Sequence, residues 1–414
     1  MPADGGAQTR PSADMRLIAL VSFAHGVSHF FHLLLPSLFP WLMPEFGLDF
    51  TQVGLLMALF SACSGVGQVL AGFLVDRVGS HRVLLAGIAC FVFASVVLSL
   101  AGSHAALLIA AALAGLGNSV FHPADFNILN HRVSVARLGR AFSFHGLAGN
   151  IGWAVAPVLL TTLATAFGWR EAALGAAGLA AIAWVLVARA RDLDADSAPI
   201  PDAGVSGQQA VAAFGFLHIG VIWLCFLFFV LTTAAMAALQ QFGTPLLHEM
   251  YALRLPAAAA ALTAFLSGGA VGIIAGGVLV TRGASQERQI AIALAVATAL
   301  ALVLATGAMP RWSVVPLLVV MGFASGVPGP ARDLLVRHSA LARCGRNVYG
   351  RVYGFVYSGV DVGVAMSPLV FGPLMDGARF GLVLAGVALL QAFAIAVTVG
   401  IGEPAPLAAP DTGS

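Results

Sequence analysis

Long apolar stretches alternate with short polar breaks along almost the whole chain. The clearest stretches, 18–41, 84–100, 214–238 and 381–401, are each roughly 20 residues or longer, enough to cross a hydrocarbon layer of ~30 Å. Splitting the chain at charged or Gly/Pro-rich breaks predicts twelve helical spans. They lie near 16–43, 51–75, 83–102, 105–129, 141–167 and 171–188, and then near 213–241, 257–280, 287–307, 312–336, 350–374 and 380–402. The pattern predicts an all-α integral membrane protein.

The spans form two sets of six, separated by the longest polar segment of the chain. This segment contains Arg191, Asp192, Asp194 and Asp196, followed by a Pro-Ile-Pro-Asp-Ala-Gly stretch, a composition typical of a flexible linker. We therefore expect a disordered cytoplasmic tail at 1–15, a six-helix bundle at 16–188, a cytoplasmic linker at 189–212, a second bundle at 213–402 and a cytoplasmic tail at 403–414.

The two sets of spans also repeat in sequence. Gly-Arg-Ala-Phe-Ser-Phe at 139–144 matches Gly-Arg-Val-Tyr-Gly-Phe at 350–355, and Asn150 and Pro157 meet Asp361 and Pro368 in the same register. Upstream, with a four-residue shift, the Gly115 and Pro123 positions correspond to Gly322 and Pro330. Repeated halves are typical of transporters in which one bundle moves against the other around a central site. The repeat predicts two pseudo-symmetric six-helix bundles.

Composition narrows the function classes. Hydrophobic residues make up 59% of the chain and charged residues only 9%, which excludes a water-soluble core. A net charge of +2, spread over short loops, gives no footprint for nucleic acid. The four cysteines show no paired spacing for a disulfide framework or a zinc site. The chain has no phosphate-binding glycine loop or ATP-coupling motif, so we expect neither an enzyme nor a bound cofactor.

Arginine placement predicts the orientation. Cytoplasmic loops are enriched in basic residues, and an inward N-terminus puts most arginines on the cytoplasmic side. Only Arg170, Arg254, Arg311 and Arg379 then fall outside, while Arg332 lies within a span. We expect both termini in the cytoplasm of a bacterium, with the protein in the inner (cell) membrane.

The loop after the second span carries a recognisable motif. Residues 72–82 read Gly-Phe-Leu-Val-Asp-Arg-Val-Gly-Ser-His-Arg, and a partial copy stands at 277–283. This motif resembles the loop signature of the major facilitator superfamily. In that interpretation Asp76 acts as a conformational latch, pairing with a basic residue or a helix terminus in one conformation; the alternative is a solvated turn. The predicted latch residues are Gly72, Asp76, Arg77, Gly79 and Arg82.

A second resemblance concerns the fourth span. Residues 116–123 read Leu-Gly-Asn-Ser-Val-Phe-His-Pro, which is similar to a segment of the fosmidomycin-resistance-type exporters; Gly149-Asn150, Gly152 and His29 fit that group too. Ala124-Asp125 departs from the pattern, since an acidic residue is expected directly after the proline. The resemblance implies that the protein exports a compound. Because of this departure, we expect the compound to differ from the substrate of those exporters. We expect a monomer surrounded by membrane lipid.

Ionisable residues inside the membrane are costly and are therefore candidates for function. The first span holds three histidines at helical spacing, so that they share one face. Histidine titrates near neutral pH, so a histidine and carboxylate cluster can bind and release a proton. Structural hydrogen bonding is the alternative for each histidine. We predict proton coupling at His122 and Asp125, the leading pair, and at His25, His29 and His145.

The second half has different chemistry. Arg332 occupies the repeat position of Asp125 and Asp361 that of Asn150. Arg332 is predicted to accept an anionic solute or to pair with an aspartate across the cavity; the alternative is that it extends to the cytoplasmic surface. The predicted substrate-binding residues are His29, His32, Gln240, Gln241, Arg332, Tyr353, Tyr357 and Asp361. Tryptophans such as Trp153 are more often packing or interface anchors.

Three functions remain open on sequence alone. The first is proton-coupled antiport, by alternating access, that exports a small anionic or amphiphilic organic compound. The second is proton-coupled uptake of a carboxylate or related nutrient, which would use the same residues in the opposite direction. The third is transport of a transition metal or metal chelate, because histidines at i and i+4 have ligand-like spacing. No resident metal site is predicted, because proton relays use the same residue types.

Overall fold

The protein is helical throughout the part of the chain that the computed structural model describes, namely residues 11–190, 215–281, 285–332, 335 and 349–401. The first half contains α1 Pro11–His32, α2 Leu34–Phe46, α3 Phe50–Val78, α4 Ser80–Ser99, α5 His104–Ser119, α6 Phe121–Arg132, α7 Val135–Phe167 and α8 Trp169–Arg189. A 3-10 turn at Gly215–His218 precedes α9 Gly220–Tyr251, α10 Leu255–Thr281, α11 Gln286–Ala305, α12 Arg311–Gly326, α13 Tyr349–Asp376 and α14 Phe380–Ile401.

These helices give twelve segments that are long and apolar enough to cross a membrane, which confirms the predicted number. The first of these segments, Asp14–Phe46, combines α1 with α2, and the fourth, His104–Arg132, combines α5 with α6. The terminal tail and the 189–212 linker of the predicted organisation lie largely outside the described residues, and the 403–414 tail lies wholly outside them.

Prolines account for the interruptions inside these spans. A proline cannot donate to the carbonyl four residues earlier, and its ring clashes with that carbonyl. Pro36 accordingly follows the break after His32, and Pro123 follows the break after Ser119. In the second half Pro330 stands at the same distance from Gly326, the last residue of α12. Both fourth spans are therefore interrupted at the position where the repeat places Asp125 and Arg332.

The described helices divide into two compact units. Unit 1 comprises residues 11–47 and 59–190, and unit 2 comprises 48–58 and 215–401. The first turns of α3 belong to unit 2 because Asp376 caps their free amide groups: its carboxylate accepts from the backbone N–H of Phe50 and Thr51 at 2.5 and 3.0 Å. A carboxylate at a helix N-terminus is favourable for both its charge and its hydrogen bonds.

Each unit contains a helix pair that approaches at a glycine. In unit 1, Gly152 of α7 lies so close to α1 that an added Cβ would overlap the carbonyl oxygen of Gly26 and crowd the amide of Phe30. In unit 2, a Cβ on Gly363 of α13 would meet the carbonyl oxygen of Val230 and the amide of Ala234. Small residues permit such close helix contact in membranes. The matching contacts make His25 of α1 the counterpart of Phe229 of α9.

A second contact joins the beginnings of α1 and α7. The buried carboxylate of Asp14 accepts hydrogen bonds from the Ser134 hydroxyl and the Arg137 guanidinium, both at 2.8 Å. Together with the glycine contact, this anchor fixes α1 against α7 and so sets the register between the histidines of the two helices.

Candidate functional site

The histidine face of α1 packs against a bare surface of α7. His25, His29 and His32 follow one another along this face, with ring centroids 4.4 Å apart for the first pair and 5.2 Å for the second. Gly149 supplies the space, because a Cβ at this position would lie 2.7 Å from His29 Nδ1 and 3.2 Å from His25 Nε2. The absence of a side chain at 149 is what lets two imidazole rings lie between the helices.

Asp125 is the centre of the buried polar cluster of unit 1. Its Oδ2 accepts a hydrogen bond from His145 Nε2 at 3.0 Å and lies 3.2 Å from His25 Nδ1. Asp125 is fully buried, and the His25 and His145 side chains are only 3% and 5% exposed. The two imidazoles stack on each other at 3.5 Å between centroids. Three predicted proton-coupling residues from three different spans are therefore brought together.

His122 lies beside this cluster. Its ring is 5.3 Å from that of His25 and 6.5 Å from that of His145, and its side chain is exposed. Sequence reasoning paired it with Asp125, since the two stand one turn apart on the same span. The hydrogen-bonding partner of Asp125 in the structure is His145 of α7, at 3.0 Å.

The polar chain continues from the cluster along α1. His32 Nε2 lies 2.8 Å from Asn118 Oδ1, and Asn118 Nδ2 donates to the Ser64 hydroxyl at 2.7 Å. Because the amide nitrogen of Asn118 faces Ser64, its oxygen faces His32 and accepts from an Nε2–H. This end of the histidine face is therefore a closed network of neutral hydrogen bonds.

Several buried polar atoms of this region have no hydrogen-bond partner among the described residues. They are Asp125 Oδ1, His25 Nδ1, His29 Nδ1 and Trp153 Nε1. Buried polar groups are rarely left unpaired, since each costs the free energy of its desolvation. Trp153 is a residue that sequence reasoning set aside as an anchor: its ring lies 4.2 Å from His29, and its helical spacing from Gly149 and His145 was the signal that could have found it.

Unit 2 brings two other predicted residues, Arg332 and Tyr357, to one aromatic ring. The guanidinium of Arg332 lies 4.4 Å above the ring of Phe229, and the ring of Tyr357 is 4.6 Å from the same phenyl group. Asp361 stands one turn beyond Tyr357 on α13 and is half-buried. Phe229 was missed because an isolated phenylalanine in an apolar run carries no polar signal. The side chain of Tyr353 lies outside the described residues.

The predicted glutamines lie on α9, also in unit 2. Gln241 Nε2 donates to the carbonyl of Val364 at 3.3 Å, and both glutamines are buried. Gln240 Nε2 and Gln241 Oε1 have no partner in the described part of unit 2. The same holds for the hydroxyls of Thr244 and Ser367, which sequence reasoning did not single out. These uncharged groups can donate and accept hydrogen bonds to a solute.

The predicted latch lies at the junction of α3 and α4. Gly79 adopts a left-handed conformation with φ of 90° between the two helices, which a side chain would strain. Gly72 has open space where a Cβ would be, and Arg77 and Arg82 are exposed. The side chain of Asp76 lies outside the described residues, so the partner of the latch is a prediction only.

The model of the Major Facilitator Superfamily matches residues 18–368 of this chain. Similar characterised proteins include the fosmidomycin resistance protein of Escherichia coli strain K12, 32% identical over 161 residues, and the probable L-galactonate transporter of the same organism, 27% identical over 151 residues. The matched segments cover 39% of both chains in the first case, and 36% of this chain and 33% of the other in the second. The chain thus spans well under half the length of these relatives.

Solved structures share the fold over nearly the full chain. A bacterial homologue of the human lysosomal transporter Spinster, in an inward-facing and occupied conformation, has a TM-score of 0.73 at 13% identity and covers 95% of this chain and 97% of its own. The nucleoside transporter NupG, crystallised as a point mutant, has a TM-score of 0.76 at 12% identity, covering 94% and 100%. At such identities the likeness concerns the fold alone.

Sequence repeat, twelve spans and fold agree with the family match, and the predicted resemblance to the fosmidomycin-resistance group is confirmed by a relative of that name. The chain belongs to the Major Facilitator Superfamily, a family of multi-pass membrane transporters.

Proposed function

We propose that this protein is a proton-coupled secondary transporter that exports a small anionic or amphiphilic organic compound by alternating access. The observation that carries the proposal is the fully buried Asp125 carboxylate between the imidazoles of His25 and His145. A carboxylate at this depth is costly unless it is protonated or paired. Burying this carboxylate costs free energy of folding. Such a cost is expected only where the group has a function.

The cluster has the chemistry that proton coupling needs. His145 holds Asp125 through one oxygen, while Oδ1 has no partner in the described part of unit 1 and can take up a proton. Because His25 is within 3.2 Å of the same carboxylate, one proton can pass between acid and imidazole with little movement. The stacked His25 and His145 cannot both be charged without repulsion. Each cycle is therefore proposed to load a single proton here.

Export is proposed because the proteins similar to this chain include a fosmidomycin resistance protein and a drug efflux pump of Mycobacterium tuberculosis. Proton-coupled uptake of a carboxylate is the second candidate. It is favoured by the likeness to a probable L-galactonate transporter and a probable sulfoacetate transporter. Both candidates use the same proton site and differ in whether proton and solute move in opposite directions.

Transition-metal transport is the third candidate, with the metal as substrate. It is favoured by ligand atoms of His25, Asp125 and His145 within 4.8 Å of one another. Among the described residues, however, no cysteine thiolate joins this group, and proton relays use the same residue types. We expect calorimetry with zinc, iron or nickel to show no tight binding. A micromolar affinity that vanishes in a His25→Ala/His29→Ala double variant would put metal export first.

We place the protein as a monomer in the bacterial inner membrane, in contact with lipid, with both termini in the cytoplasm. The arginine bias of the loops supports this orientation. Tagging either terminus and testing its protection from protease in right-side-out vesicles checks it directly, because a cytoplasmic tag survives until the membrane is opened.

A transport assay tests the proposed coupling and its direction. Purified protein is reconstituted into liposomes, a pH gradient of either sign is imposed, and a panel of organic acids, amides and amphiphilic compounds is followed across the membrane. An exporter by antiport accumulates its solute in liposomes that are acidic inside, whereas a symporter accumulates it in liposomes that are acidic outside. Fluxes indifferent to both gradients would contradict proton coupling altogether.

A further inference from the structure

Trp153 and His29 are the part of the histidine region that the proton site does not account for. They face each other from α7 and α1 with ring centroids 4.2 Å apart and ring planes inclined at 32°. Trp153 Nε1 and His29 Nδ1 are both buried, and neither has a hydrogen-bond partner among the residues that the structure describes. Two adjacent side chains therefore lack the same thing, a group to bond to their ring nitrogens.

Several polar side chains near the pair already bond to other partners. His32 uses its Nε2 on Asn118, which in turn uses its amide nitrogen on Ser64. His145 uses its Nε2 on Asp125. On the α7 side the nearest surface to His29 is the bare Gly149, which offers no side chain. One turn earlier, Gly146 borders open space, since an added Cβ there would touch nothing within 4 Å.

The chemistry of the two nitrogens defines what would bind. An indole Nε1–H can only donate, and an imidazole Nδ1 donates whenever it carries a proton, in the neutral Nδ1–H tautomer or in the imidazolium. A pair of donors next to each other calls for acceptor oxygens, and an oxyanion offers two of them together with a charge that favours a protonated His29. The two rings lie only 4.2 Å apart between centroids, so both nitrogens belong to the same small region of unit 1.

We propose that Trp153 and His29 form the binding site for the oxyanion of the transported compound, with Trp153 Nε1–H and His29 Nδ1 as its two donors. Both side chains are half-buried, so their edges reach the surface of unit 1 while the two nitrogens are covered. The open space at Gly146 lies on the same face of α7 and leaves room for the rest of the ligand.

The proposal rests on the proposed function and extends it, because it connects substrate to proton. The ring of His29 lies 4.4 Å from that of His25, which is 3.2 Å from Asp125. An anion on His29 and a proton on the Asp125 cluster are thus separated by a single imidazole. Each changes the free energy of the other by direct electrostatic interaction, without a conformational intermediary.

Equilibrium binding to the purified full chain tests this site without any gradient. The probes are benzoate, cinnamate and octanoate, each compared with its neutral amide by calorimetry. We expect acids to bind more tightly than amides, and Trp153→Phe, which keeps the ring and removes the N–H, to weaken the acids about 10-fold, equivalent to ~1.4 kcal/mol. His29→Gln should bring the affinities of acid and amide together, because it removes the charge.

The matched control is Trp223→Phe. Trp223 is an exposed tryptophan of unit 2 whose Nε1 already donates to the carbonyl of Leu217 at 2.8 Å, so its loss should leave acid binding unchanged. Trp153→Phe should keep or raise the melting temperature, because it removes an unpaired buried donor. A lower melting temperature with unchanged acid preference would mean a packing role only, and overturn the proposal.

Nuclear magnetic resonance of the indole nitrogens gives a second readout. With 15N-tryptophan, the Trp153 cross-peak is identified by its absence from Trp153→Phe, and it should shift downfield on addition of benzoate but not of benzamide. A cross-peak that ignores every acid, or acids that bind no better than amides, overturns the site. Acid binding through Trp153 in a protein that shows no pH-driven flux would keep this inference and reject the proton coupling.

Discussion

The two halves of the molecule share the same helix-pair contact but carry different polar and charged side chains beside it. In the first half α1 meets α7 at Gly152, and in the second α9 meets α13 at Gly363 through the same pair of backbone atoms. On this common geometry His25 corresponds to Phe229, Asp125 to Arg332 and His145 to Val356. A buried acid between two imidazoles in one half is replaced by a cation above a phenyl ring in the other.

The difference indicates a division of labour. A carboxylate and imidazoles can change their charge near neutral pH, whereas an arginine keeps its charge throughout. The first half is therefore suited to gaining and losing a proton, and the second to holding a fixed positive charge and neutral hydrogen-bonding groups. Replacing a residue by its counterpart at the repeat position tests this division between the two halves directly.

The largest effect is expected when His145 takes the residue of its counterpart. His145→Val removes the donor to Asp125 and leaves a buried carboxylate without its partner, which typically costs about 3 kcal/mol of unfolding free energy. We expect gradient-driven flux to fall to the level of protein-free liposomes. Val356→Ala, the control in the other half, should retain flux. If His145→Val transports as well as the wild type, Asp125 does not need its imidazole partner.

The next effect tests the shared framework. Gly152→Ala and Gly363→Ala each place a Cβ against backbone of the neighbouring helix, where nothing flexible can yield. We expect each substitution to destabilise the folded protein by about 2 kcal/mol, within the usual cost of overpacking, and by similar amounts in the two halves. Thermal unfolding in detergent measures this. Gly146→Ala, with open space around its Cβ, is the harmless control; a large difference between the first two variants would contradict the equivalence of the helix pairs.

The loop motif offers a further comparison, because Asp76 of the first copy is replaced by Thr281 in the second. Asp76→Thr should bias the protein towards inward opening by removing a charge interaction, a shift of ~1–2 kcal/mol in the conformational equilibrium. Labelling of single cysteines from either side of the membrane reports the populations. An unchanged labelling pattern would remove the latch from the mechanism.

The smallest effect concerns the fixed charge of the second half. Arg332→Gln removes the guanidinium from above Phe229, an interaction worth about 1 kcal/mol. We expect a several-fold weaker apparent affinity for acids and an unchanged response to the pH gradient. Arg311→Gln, at the start of the same span, is the control. Loss of the pH response in Arg332→Gln would mean that proton coupling is not confined to the first half.

The sequence predicted the fold more completely than it predicted the contacts within the candidate site. Apolar length predicted the twelve spans, and the repeat that aligned Pro123 with Pro330 also located both helix interruptions, since proline acts locally on the backbone. The sequence placed His25, Asp125 and His145 in one cluster because their helical spacing and family position are local properties. Sequence analysis paired Asp125 with His122 and interpreted Trp153 as an anchor. The direction in which a side chain points depends on the neighbouring helix, which the sequence does not show. The role of Gly149 becomes visible only once α1 lies against α7.

Gradient-driven flux in matched carboxylate variants tests whether the proton site lies in the first half. Asp125→Asn keeps the shape of the buried side chain but cannot release a proton, while Asp361→Asn makes the same change in the second half. We expect Asp125→Asn to lose accumulation driven by a pH gradient and to keep solute exchange without a gradient. Asp361→Asn, at a predicted substrate-binding residue, should keep the response to the gradient even if its apparent affinity for the solute falls. Undiminished accumulation in Asp125→Asn, or its loss in Asp361→Asn alone, would contradict the assignment of the proton site to the first half.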